Sequence, residues 1–102
     1  MEAKKEFLDY LRAITIQKND EYSTEDSYYN FKVGSKILNC SPEKVALSYM
    51  AKHIASLSKM VENPDAYSLA IWNEKLGDIA CYCANIFGMR AAASRRKELN
   101  EQ

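Results

Sequence analysis

Residues 79–89 read Ile79-Ala80-Cys81-Tyr82-Cys83-Ala84-Asn85-Ile86-Phe87-Gly88-Met89, an uncharged run in which only Asn85 is strongly polar. Its apolar side chains return at three- and four-residue steps, the period of a helix. Glu74 and Asp78 precede it, one helical turn apart. A helix that is apolar around its whole circumference has to be buried on every side. A chain of 102 residues supplies few other elements to wrap it. The expected cover is therefore another copy of the chain, with two carboxylates at the margin of the shared core.

Upstream, the helix carrying this run begins near residue 68 and is expected to continue to about 97. Asn63-Pro64-Asp65 ends the helix before it, because proline lacks an N–H and biases its predecessor away from helical angles. That helix, 42–62, opens on Ser41-Pro42-Glu43: an N-cap serine, a proline at the first helical position and an acid facing the helix dipole. Ala46, Met50, His53, Ile54, Leu57, Met60 and Val61 form its apolar stripe. A shorter helix is expected at 27–38, capped by Ser27 or Asp26 and weakened at Gly34. The first, 3–18, is one-sided, with Phe7, Leu8, Leu11, Ile14 and Thr15 on one face. The intervening residues 19–27 read as a loop holding Asp20, Glu21, Glu25 and Asp26 with no basic residue. No segment shows the period-two alternation of a strand. The expectation is an all-α single domain: a four-helix bundle of two long helices, one short and one long C-terminal, completed by homo-oligomerisation.

Composition narrows the function classes. Fourteen basic residues balance fourteen acidic ones, so the basic footprint that DNA or RNA phosphates require is missing. Three cysteines make an odd count without the density of a disulfide scaffold. No apolar stretch reaches the roughly 18–20 residues needed to cross a bilayer, and the charged start lacks the pattern of a signal peptide. A cytoplasmic protein, bacterial or in an infected cell, without membrane or nucleic-acid partners is expected.

On the last helix Trp72, Leu76, Ile79, Cys83, Ile86 and Phe87 share a face, with Glu74, Asp78, Cys81 and Asn85 roughly opposite at about 100° per residue. Glu74 and Asp78 point the same way, and two such carboxylates can share Mg²⁺, a cation that takes oxygen ligands and keeps waters. Asp20 and Glu21 are a second source of ligands. Tyr22, Tyr28 and Tyr29 offer flat surfaces on which a nucleobase could stack, and also suit the seams of a small bundle. Lys52 is the phosphate candidate. His53, beside it on the apolar stripe, reads more readily as a hydrogen-bonded core histidine than as a ligand or base. Cys81 and Cys83 diverge by about 160° on a helix, too far to chelate one zinc, and read as small buried hydrophobes. Arg90, Arg95, Arg96 and Lys97 complement the helix C-terminus.

Lys18-Asn-Asp-Glu-Tyr22, Asn30-Phe31-Lys32, Ala46-Leu-Ser-Tyr-Met-Ala-Lys-His53 and Glu74-Lys-Leu-Gly-Asp78 with Tyr82 resemble a group of small phage and prophage proteins over residues 15–88. The last of these segments also resembles the Glu-Glu-Leu-Gly-Asp stretch of the MazG-like all-α nucleoside triphosphate pyrophosphohydrolases. That resemblance implies an oligomeric bundle whose carboxylates hold Mg²⁺ while water attacks between the α- and β-phosphates. Glu74 and Asp78 match the stretch, while Lys75 replaces its second glutamate. The Glu-x-x-Glu pair of a preceding helix has no counterpart, since Glu62 stands alone with Lys59 three residues before it. Half a ligand set binds metal weakly, and hydrolysis depends on the metal to activate water. Tyr22, Asn30, Lys52, His53 and Tyr82 are the residues expected to contact a nucleotide. The functions in view are Mg²⁺-dependent hydrolysis of nucleoside triphosphates and, as the alternative, non-catalytic binding of a nucleotide second messenger or a host protein to counter bacterial defence.

Overall fold

Ser41 caps the third helix as its position before Pro42 requires: its hydroxyl accepts from the Lys44 N–H at 3.1 Å. Pro42 then occupies the first turn, and the helix runs to Glu62. The computed structural model describes residues 2–22 and 28–101, with the side chains of 18–22 outside the description. It contains four helices: α1 (Ala3–Tyr22), α2 (Tyr29–Leu38), α3 (Pro42–Glu62) and α4 (Leu69–Asn100), with a 3₁₀ turn at Pro64–Ala66 between the last two. There is no strand among the described residues, and the class is all-α.

Three helices differ in their bounds from the sequence reading, and α4 runs over Leu69–Asn100 where about 68–97 was expected. α1 continues through 19–22, where a loop was expected; those positions carry polar residues but no glycine or proline, so nothing in the chain stops the helix. α2 starts at Tyr29, with Tyr28 at its N-cap position making no side-chain capping bond. Ser27 and Asp26, expected to cap it, lie outside the described residues. At its other end Asn39 takes the left-handed conformation, φ 53°, and the Cys40 N–H returns to the Ser35 carbonyl at 3.1 Å, closing α2 before α3 begins.

α3 and α4 form an antiparallel hairpin. Ser68 caps α4 by accepting from the Ile71 N–H, and the Trp72 indole N–H donates to the Pro64 carbonyl at 3.2 Å. Further along, His53 lies beside Lys75, Met50 beside Cys83, and Val45 and Ala46 cluster with Met89. α2 packs on α3 and adds Phe31 to that cluster. α1 docks on α4, with Tyr10, Leu11 and Ile14 at Gly77 and Thr15 at Cys81, so the two run parallel. Positions 77 and 81 point away from 75 and 82 on a helical wheel. α4 is thus sandwiched between α1 and α3.

This arrangement revises the expected faces of α4. Asp78 turns toward α3, while Phe87 is 75 % exposed. Cys83 is exposed too, against the expectation that it is buried. Among the described residues the buried apolar ones are Phe31, Val45, Ala46, Met60 and Met89; Ala46 and Met60 belong to the stripe read from the sequence, while Val45, at 0 % exposure like Ala46, lies off it. That stripe ends in solvent at Val61. The molecule measures 53 × 32 × 24 Å with a radius of gyration of 16.1 Å, where a compact domain of this length has about 13 Å. It exposes 7859 Å², against about 5,900 Å² for a compact monomer of its mass. No helix among the described residues is long and apolar enough to cross a membrane.

Candidate functional site

Lys75, Asp78 and Tyr82 recur at steps of three and four along α4, which lines them up on the face that meets α3. Opposite them α3 presents His53. Lys75 Nζ lies 3.4 Å from His53 Nδ1, and Asp78 Oδ2 lies 3.8 Å from the same nitrogen. One nitrogen cannot both accept from an ammonium and donate to a carboxylate. The Lys75 contact is the shorter of the two, and the Asp78 distance is beyond hydrogen-bond range. An ammonium, an imidazole and a carboxylate therefore share one spot in the α3–α4 seam, half-buried, with the His53 and Asp78 side chains 26 % and 29 % exposed.

Aromatic rings continue the site toward α2. The His53 ring lies 5.5 Å from Tyr82. Tyr82 in turn lies 6.4 Å from Tyr49 and from Phe31, in edge-to-face arrangements, and Phe31 lies 6.0 Å from Tyr49. Phe31 is buried and anchors the set, while Tyr49 is exposed. The result is a graded surface: charge at the Lys75 end, a flat ring at the Tyr49 end. Such a surface can meet a phosphate with the ammonium and a planar base with a ring.

Three residues expected from the sequence, His53, Asp78 and Tyr82, are brought together here. Others are not. Glu74 is exposed on α4, Lys52 is exposed on α3 and Asn30 is exposed in the first turn of α2. Asp20, Glu21 and Tyr22 belong to α1, and their side chains lie outside the described residues. Because α1 runs parallel to α4 with Thr15 at Cys81, position 20 lies roughly 15–18 Å farther along the helix axes than position 74. Among the described residues, no three histidine, cysteine, aspartate or glutamate side chains converge as a metal site. His53 Nδ1 faces Asp78 Oδ2 at 3.8 Å.

The sequence reading missed Lys75 and Tyr49. Lys75 was read as an absent acid, although its spacing from Asp78 and Tyr82 already placed it on their face. Tyr49 lies one turn before His53 on α3, a spacing that could have found it. No family model matches this chain, and neither the curated proteins nor the solved structures include a significant match to it.

Proposed function

We propose that this chain is a phage-type, MazG-like helical protein that binds a nucleotide at the His53–Lys75–Asp78–Tyr82 surface without hydrolysing it. The observation that carries the reading is the Lys75 ammonium, 3.4 Å from His53 Nδ1, the nitrogen that also faces Asp78 at 3.8 Å. It stands where the resembled stretch has its second acid. A lysine there meets phosphate oxygens directly, through charge-assisted hydrogen bonds, and takes over the charge neutralisation that a cation held between carboxylates would provide. Tyr49, exposed at the other end of the ring cluster, is placed to stack on the base. A protein that holds a nucleotide intact suits sequestration of a second messenger used in bacterial defence.

The test offers a panel of nucleoside triphosphates and cyclic nucleotides, with and without Mg²⁺. Binding should raise the melting temperature of the wild type and leave the nucleotide unchanged by chromatography. Lys75→Glu should weaken binding by at least tenfold, since it replaces an ion pair with like-charge repulsion. Release of monophosphate and pyrophosphate, abolished by Asp78→Ala, would replace this reading with that of a Mg²⁺-dependent pyrophosphohydrolase. No thermal shift with any nucleotide would reject both, and point to a host protein sought by pull-down from infected cells.

A further inference from the structure

The sandwiching of α4 leaves one of its edges uncovered between α1 and α3. From Asn73 through Leu76, Ala80, Ala84 and Phe87 to Ser94, that edge carries no charge over roughly 30 Å. It has relief of two opposite kinds. Phe87 projects, 75 % exposed. One and two turns before it lies an open hollow of about 340 Å³, lined by Ala80 and Ala84 from α4 and by Leu11, Arg12, Thr15 and Ile16 from α1. An apolar cavity of about 150 Å³ already holds a benzene ring, so this one admits a phenylalanine. Arg12 is exposed and lines the rim with its aliphatic stem.

We propose that the occupant of this edge is a second copy of the chain, packed antiparallel α4 on α4 about a two-fold axis near Cys83 and Ala84. Under that symmetry Phe87 of each copy enters the Ala80–Ala84 hollow of the other. A two-fold interface must be self-complementary: what residue i does to j, j does to i. A knob and a hollow on one helix edge, displaced to either side of a common point, satisfy that condition. The surface area argues for a copy as well. The chain exposes roughly 2,000 Å² more than a compact monomer of its mass, and a stable dimer covers about 800 Å² per partner. Part of the excess belongs to the projecting end of α4, where Arg95, Arg96 and Lys97 stand in solvent. The small side chains of Ala80 and Ala84 let the two helices approach closely. This inference does not depend on nucleotide binding.

Sedimentation equilibrium of the full chain, from micromolar to hundreds of micromolar, tests it. The wild type should be a dimer. Phe87→Glu should weaken association by about a hundredfold or more, as truncating a central aromatic anchor does, while keeping the helical circular dichroism of the wild type. Ala84→Arg, at an exposed position, should do the same by filling the hollow, and it carries the test if Phe87→Glu does not fold. Ile37→Glu, on the equally exposed stripe of α2, should leave the dimer intact. A monomeric wild type, a dimer indifferent to both α4 variants, or one broken by Ile37→Glu alone would overturn the proposal.

Discussion

A Cβ on Gly34 would sit 2.9 Å from Val45 Cγ1 and 3.4 Å from Cγ2, inside contact distance of the largest fully buried side chain among the described residues. Val45 is β-branched and held on all sides, so it has little room to give. At Gly77 the neighbours are Tyr10 Cε1 at 3.1 Å and Ile14 Cδ1 at 3.2 Å, the far ends of side chains on α1. The two glycines should therefore respond differently to substitution. Gly34→Val should lower unfolding free energy by about 2 kcal/mol through overpacking. Gly77→Ala should stay within about 1 kcal/mol of wild type, because better helix propensity offsets a small shift of α1. Urea denaturation of both variants measures the difference. The third glycine, Gly88, admits the Tyr28 hydroxyl where a Cβ would collide. Read from sequence, Gly34 is a weak point of a short helix. In the fold each glycine marks a close approach between elements, information that one residue type in a linear pattern does not carry. His53, Asp78 and Tyr82 were legible because their chemistry is visible in isolation; Lys75 was not, because its role comes from the imidazole opposite it.

The helix that the sequence delimited best, α3, has a local start and a local stop: Ser41, Pro42 and the Asn63-Pro64 pair. α1 has neither at its C-terminal end, and its length follows from the absence of a breaker. Which face of α4 meets which neighbour was the hardest element-level property to read. The uncharged run suits every direction equally, and the choice is made by glycines and alanines that let partners in. α1 is also the least held of the four: it touches α4 among the described elements, and its Leu8 and Ile16 are exposed. Local opening free energy follows the number of neighbours a segment must leave. Hydrogen exchange should accordingly release the α1 amides around Phe7–Ile14 well before those of α3 around Val45. Equal protection of the two helices would contradict this account of α1.

At the scale of the molecule, a radius of gyration of 16.1 Å and a short roll of buried residues describe a chain whose core is thin for its length. Stability of such a chain should depend on its neighbours. Linkage makes Tm rise with protein concentration when folded copies associate. Calorimetry across a hundredfold range of concentration should show that rise for the wild type, and a flat response for Phe87→Glu. The sequence reading drew its expectation of a second copy from the apolar run alone. The location of the surface that would receive it was hidden, since a hollow lined by Leu11, Arg12, Thr15 and Ile16 of α1 and by Ala80 and Ala84 of α4, far apart along the chain, leaves no local pattern.

That same separation governs how the polypeptide is born. α1 leaves the ribosome well before α4 exists, and α4 is the surface on which it settles. At about 5–20 residues per second, Leu11 and Ile14 wait several seconds without their eventual shelter. The first of the four described helices thus waits for the fourth, and its apolar side chains stay uncovered until α4 has been made.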